Sequence, residues 1–394
     1  LREYNSRRNV PMGDGGGRRF GGDRDKVLSA RRILANYYRN DPAHQAVQAF
    51  NELTPRSSVG LYAYKDFLWR DATAPRAALD SFRLSHVSPG PGYVYARSSW
   101  RDDATYFFFK CGDRFTAHQH LDVGHFNIFK YEELAGDGGH YDEFGTKHDV
   151  NYHMRTMAHS TMLVLDPAEK WPGIRAGKVT GNDGGQHHNW PHHNGAVGDA
   201  ADWRRQARLY DIADLKAFED RGDYLYVAGD CSHAYSTNKL EHFTRQIVFL
   251  RPGTFVIFDR VKSTRPEFKK TWLLQAMKPP VEQGSHLVVT HGQGRLFMQT
   301  LLPAQPEINL ATGDNLYQYG GNSYPPRRQI GLAPECRIEV SPKQPSQADC
   351  FLHVLTATDA STATVPVARA TVQDNQVRVE VGAAKMTFLM DAVG

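Results

Sequence analysis

The chain has 394 residues, 40% of them hydrophobic and 23% charged, with 47 basic residues against 43 acidic ones and a formal net charge of +4. These values exclude a disordered chain, and no apolar run approaches the roughly 20 residues that a membrane-spanning helix needs. The small positive surplus supports a modest preference for anionic ligands and nothing sharper, and the dispersed Arg and Lys form no nucleic-acid recognition motif.

The opening stretch, LREYNSRRNVPMGDGGGRRF, begins with Leu1 and lacks the charged-then-apolar order of a secretory leader. It reads as an interior loop, and a processed or truncated start is expected. Next comes DRDKVLSARRILANYYRND, in which Val27, Leu28, Ala30, Ile33, Leu34 and Tyr37 fall near helical spacing, with acids at the start and Asp41-Pro42 at the end. HQAVQAFNEL and VGLYAYKDFLWRD predict two further short helices. Three helices of this size cannot bury their own apolar faces, so they need partners elsewhere.

From about residue 92 the pattern changes. Short segments rich in Val, Ile, Phe, Tyr and Thr, such as ATYFFFKCG, DYLYVAGD, FTRQIVFLRPGTFVIFDRV and HLVVTHGQGRLFMQTLL, alternate with turn signals at Arg251-Pro252-Gly253 and His291-Gly292-Gln293-Gly294. Many strands without intervening helices predict a mainly β chain, a large antiparallel multi-sheet β-sandwich. The expected division is a helical segment over 1–80 and the sandwich over 81–394. The four cysteines show no zinc-ribbon spacing; Cys336 and Cys350 could bridge two strands or stand as a pair of buried thiols.

The stretch FTAHQHLDVGHFNIF, residues 115–129, carries unusual chemistry for its hydrophobic surroundings. Read as a strand, it places His118, His120 and Asp122 on one face and Gln119, Leu121 and Val123 on the other. Downstream, Asp137 sits in the Gly-rich turn AGDGGHY and His159 opens the apolar run AHSTMLVLD. Two imidazoles and a carboxylate suit zinc and tolerate manganese, although separations of 17 and 22 residues do not by themselves define a site. The segment GNDGGQHHNWPHHNG, with His187, His188, His192 and His193 around Trp190, reads either as a sugar-stacking, anion- or metal-binding loop or as a plain surface loop.

Taken in order, RSSWRDDATYFFFKCG, AHQHLDVGHFNIF, AGDGGHY, AHSTMLVLD, DYLYVAGDCSHAY and RQIVFLRPGTFVIFDRV resemble the C-terminal half of the heparinase II/III family of polysaccharide lyases, over residues 60–275. That resemblance implies an α/α toroid followed by an antiparallel β-sandwich, with the helices here as the end of the toroid. It implies His120, Asp137 and His159 as ligands of a divalent metal, usually zinc, with manganese or calcium as alternatives. It further implies His118 facing substrate, Tyr141 at the sandwich rim and Tyr152 as a second candidate catalytic tyrosine.

The implied function is cleavage of a uronic-acid-containing polysaccharide by β-elimination, on a glycosaminoglycan such as heparin, heparan sulfate, hyaluronan or chondroitin. An alginate- or ulvan-type substrate, or a non-catalytic metal-stabilised carbohydrate-binding sandwich, stands as the alternative. Arg97 and Arg155 become candidates for carboxylate or sulfate contacts because of their fork geometry, with Gln119 and Trp190 as further substrate contacts. The implied partner is an acidic polysaccharide, with no nucleic acid and no membrane, and the family leaves room for a homodimer. Such a polymer is met outside the cytoplasm, so a periplasmic or secreted bacterial protein is expected. The toroid's own asparagine, histidine and tyrosine have no counterpart in this sequence, which reads as a fragment in that respect.

Overall fold

The computed structural model describes residues 21–53, 60–116, 118–170, 181–186 and 197–393. Three helices come first: α1, Gly21–Tyr37; α2, Pro42–Leu53; and α3, Gly60–Trp69. Asp41 separates the first two by accepting the Ala43 and His44 amides at 2.8 and 3.3 Å, a side-chain cap that supplies two of the donors a new helix leaves open. Tyr37, Phe67 and Trp69 on these helices are exposed. Trp100, whose ring lies 5.4 Å from Phe82 and 6.3 Å from Phe50, joins α2 to the start of the sandwich.

Two large antiparallel sheets follow, forming the mainly β sandwich that the alternating segments predict. The nine-stranded sheet runs through Ser85–Ser88, Tyr93–Arg97, Tyr106–Lys110, Phe126–Lys130, Glu132–Ala135, Lys269–Ala276, Cys336–Pro342 and Pro306–Thr312, with Met162–Leu165 also pairing to Lys269–Ala276. The eight-stranded sheet runs through Val281–Gln283, His286–His291, Gly294–Leu302, Ala348–Asp359, Thr254–Ser263, Leu240–Leu250, Tyr224–Asp230 and Asp214–Asp220. A third sheet of three strands, Arg369–Gln373, Gln376–Val381 and Ala384–Leu389, covers the outer face of the second. The two turn signals close hairpins, between Leu240–Leu250 and Thr254–Ser263 and between His286–His291 and Gly294–Leu302.

This layering explains why TFVIFDRV reads as a continuous apolar run. Phe255, Ile257 and Val261 enter the core between the two large sheets, while Val256 and Phe258 enter a second core against Val377, Val379 and Phe388. A strand covered on both faces needs no polar side. The outermost layer shows the opposite pattern: in QVRVEV, Val377, Val379 and Val381 are buried while Arg378 and Glu380 face water.

The edge strands Asp214–Asp220 and Pro306–Thr312 carry charged and exposed residues, and the sequence pattern misses both. All four cysteines are free thiols; the sulfurs of Cys111 and Cys231, on opposite sides of the main core, lie 3.7 Å apart.

Candidate metal centre

Residues 115, 116 and 118–125 form no strand, and the strand begins only at Phe126. The expected alternation of faces therefore fails: His118 is exposed, whereas Gln119, His120, Leu121, Asp122 and Val123 are all buried. Side chains take the backbone groups that a ladder would have used. Gln119 accepts the Thr116 amide at 3.0 Å and donates to the Asp113 carbonyl at 3.0 Å. Thr156 Oγ1 donates to the Leu121 carbonyl, and Gln186 holds Val123 through both its amide and its carbonyl. Gly124, at φ +84°, makes the turn that releases the chain into the strand.

Asp137 follows the strand Glu132–Ala135, in a turn fixed by the Gly138 amide on the Ala158 carbonyl at 2.8 Å. His159 follows a single 3-10 turn, Thr156–Ala158, and precedes the strand Met162–Leu165. The loops bring His120, Asp137 and His159 together, each buried, with one ligand atom apiece inside 4.8 Å of the others. His159 Nδ1 lies 2.6 Å from Asp137 Oδ1. Neither carboxylate oxygen of Asp137 and neither ring nitrogen of His159 makes a hydrogen bond. Buried polar atoms left this way call for a missing partner, and two imidazoles around a carboxylate are a donor set that zinc accepts. Burial pushes the Asp137 carboxyl up, but the His159 imidazole more than offsets it and holds the group well below the usual carboxylate range.

A further layer of buried polar groups surrounds these three. Lys110 Nζ bonds Asp122, whose carboxyl burial raises and Lys110 lowers, with a net shift downwards. His125 accepts the Ser160 amide on Nδ1 at 2.9 Å, which fixes its proton on Nε2, and burial pushes it down to about 4. Arg245 pairs with Asp259 through two bonds of 2.8 and 2.7 Å and spends its remaining nitrogen on the carbonyls of Gly124 and Ser160. One guanidinium thus ties the eight-stranded sheet to both loops of the centre.

The remaining candidates separate into outward and inward groups. Tyr141 is half-buried, its ring 5.9 Å from that of His153. Arg97 is buried, with its guanidinium 4.1 Å over Trp100, and does not face solvent as a substrate fork would. Arg155 is fully buried, bonded to Asp183 and to the Gly181 carbonyl, so its charge is used within the frame. Gln119 spends its amide on loop backbone. Tyr152 is fully buried against His148 and Tyr317, within 3.4 Å of Arg337, and burial raises its hydroxyl pKa. Trp190 and the neighbouring histidines 187, 188, 192 and 193 lie outside the described residues.

The architecture is an antiparallel sandwich that keeps a histidine–carboxylate centre inside one end. The chain belongs to the heparinase II/III-like C-terminal family, whose model matches residues 84–353. No curated protein matches the sequence. Among solved structures, a heparinase III superimposes with a TM-score of 0.65 at 15% identity, over 98% of this chain and 50% of that one. The heparan sulfate lyase HepC from Pedobacter heparinus superimposes at 0.62 with 16% identity, over 98% and 50% of the two chains. The chain spans about half the length of these structures, and at such identities the likeness is one of fold.

Proposed function

We propose that the protein is the metal-bearing half of a polysaccharide lyase that cleaves a uronic-acid-containing glycosaminoglycan by β-elimination. The observation that carries this reading is the buried His120, Asp137 and His159 set within the sandwich of a heparinase-like family, beside an exposed His118 and a half-buried Tyr141.

In the reaction a base takes the proton from C5 of the uronate, and that electron pair forms the C4–C5 double bond. The C4–O bond breaks, and the leaving oxygen takes a proton from an acid. Of the two candidate tyrosines we assign Tyr141, half-buried, as that acid, because Tyr152 is sealed inside. C5 becomes acidic only when the neighbouring carboxylate is neutralised or hydrogen-bonded. With Arg97 and Arg155 turned inward, His118 is this chain's contribution to that task, and the base is assigned to residues outside this chain.

His120, Asp137 and His159 would hold the metal, with zinc preferred and manganese or calcium as alternatives. When bound, the ion supplies a fixed positive charge that compensates Asp137 and draws together the loops carrying His118 and Tyr141. The acidic polymer places the protein outside the cytoplasm, in the periplasm or secreted, and a homodimer is the assembly to test by light scattering. No helix among the described residues is long and apolar enough to cross a membrane.

A second reading, a carbohydrate-binding sandwich without catalysis, is favoured by the inward placement of Arg97, Gln119, Tyr152 and Arg155. Ultraviolet absorbance of the unsaturated product separates the two. This chain and an upstream-extended form are incubated with heparan sulfate, hyaluronan, chondroitin, alginate and ulvan. Product from the extended form, abolished by Tyr141→Phe, supports the lyase. Sugar binding without product from either form replaces it with the binding module.

A further inference from the structure

We infer that His153 is a fourth protein ligand of the metal centre and closes it to outside ligands, an inference that rests on reading His120, Asp137 and His159 as a metal site. His153 is fully buried, and neither of its ring nitrogens makes a hydrogen bond. The neighbouring buried histidines are different. His148 uses Nδ1 on the Tyr324 carbonyl at 2.6 Å and accepts the His140 amide on Nε2 at 3.1 Å, while His125 accepts the Ser160 amide. His148 thus uses both ring nitrogens in hydrogen bonds and His125 one, its Nε2 being unpaired; in His153 neither nitrogen has a hydrogen bond.

Its position says where the missing partner belongs. The His153 ring meets that of His120 edge-on, with centroids 4.6 Å apart. On its other side, Nδ1 lies 3.6 Å from Asp149 Oδ1, while Asp149 Oδ2 is held by the Gly145 amide at 2.6 Å. Asp149 and His153 bound a single π-turn, which sets them four residues apart on one side of it. A carboxylate on one imidazole nitrogen is the usual support of a metal-bound histidine, because it fixes the proton on that nitrogen and leaves the other for the ion. Nδ1 thus faces Asp149, and Nε2 is the atom left for the metal.

His153 lies outside the 4.8 Å within which the other three donors fall, so closure turns its ring further towards His120, the ring it already touches. The resulting set of three imidazoles and one carboxylate completes four-coordination. A closed site of that kind is structural, whereas three protein ligands would leave a position for water or substrate.

Cobalt(II) substitution of the chelator-stripped full chain tests this. The expected result is one cobalt per chain, with the intense visible absorption of a four-coordinate site and no change on adding excess azide. His153→Phe, which fills the buried ring volume, is expected to weaken cobalt binding at least tenfold and to make the spectrum respond to azide. An azide-sensitive spectrum in the unsubstituted protein overturns the inference, as does a His153→Phe variant with unchanged affinity and spectrum. Should His153→Phe fail to fold by circular dichroism, the azide experiment on the unsubstituted protein decides alone. Failure of that protein to bind cobalt at all removes the metal reading itself, an outcome distinct from cobalt bound without His153.

Discussion

Between the two large sheets, Phe107, Phe249 and Phe255 pack ring against ring with centroids 4.4 to 6.3 Å apart, in a core cluster built wholly of hydrophobic side chains. Around the candidate metal centre, a dense group of side chains is just as buried but polar: Lys110, His120, Asp122, His125, Asp137, His153, Arg155 and His159. The aromatic contacts of the first interior are stabilised by area removed from water and carry no charge for pH or ions to change. In the second, every charge must meet a partner, a proton or a metal, or burial counts against it. Such a region persists because its groups do something, and its stability is conditional where that of the aromatic layer is not.

Two substitutions of similar size test this contrast most severely. Phe255→Ala should cost about 3–5 kcal/mol in chemical denaturation yet leave metal content unchanged. Arg245→Met should also cost about 3–5 kcal/mol, because it strands the buried Asp259 carboxylate, and it should in addition release the metal by freeing the Gly124 and Ser160 carbonyls. Equal metal retention in both variants would erase the distinction between the two interiors.

Acid comes next in size. Burial pushes the His125 and His148 imidazoles down from 6.5 to about 4. Between those values the unfolded chain binds protons that the folded chain refuses, so stability falls as pH drops from 6.5 towards 4. The expected loss is a few kcal/mol in all, read from denaturation midpoints across that window, and the same window should leave the cost of Phe255→Ala unaltered. Removing metal by chelation should lower stability by about 3 kcal/mol when free zinc had stood at a hundred times its dissociation constant, read as a drop in melting temperature. The smallest effect belongs to the surface: Lys269→Ala, which breaks an exposed pair with Glu307, should change stability by at most about 0.5 kcal/mol.

Where burial left a simple imprint, the sequence was easy to read. The two-sided run TFVIFDRV and the alternating QVRVEV each show their layer directly. Asp214–Asp220 and Pro306–Thr312 escaped because an edge strand with an exposed face looks like a loop. Residues 115–125 misled in the other direction: histidines two apart imitate strand alternation, while the determinants of the loop are side-chain bonds from Gln119, Thr156 and Gln186. The motif resemblance implied His120, Asp137 and His159 together, across gaps that spacing alone could not have bridged. Arg97 and Arg155 show the limit, since nothing in a one-dimensional string distinguishes a guanidinium consumed inside from one offered to a ligand. His153 was passed over because its signal is an absence of hydrogen bonds, which exists only in three dimensions.

The Arg245 guanidinium has a consequence for engineering. Because it draws the carbonyls of both loops of the candidate metal centre onto a strand of the eight-stranded sheet, those loops are not interchangeable parts. Transplanting residues 111–161 into another sandwich would carry the ligands but lose the anchor that sets their spacing. Outer layers such as the three-stranded sheet, which share no bond with that arginine, are the natural place to vary the molecule while keeping the centre intact.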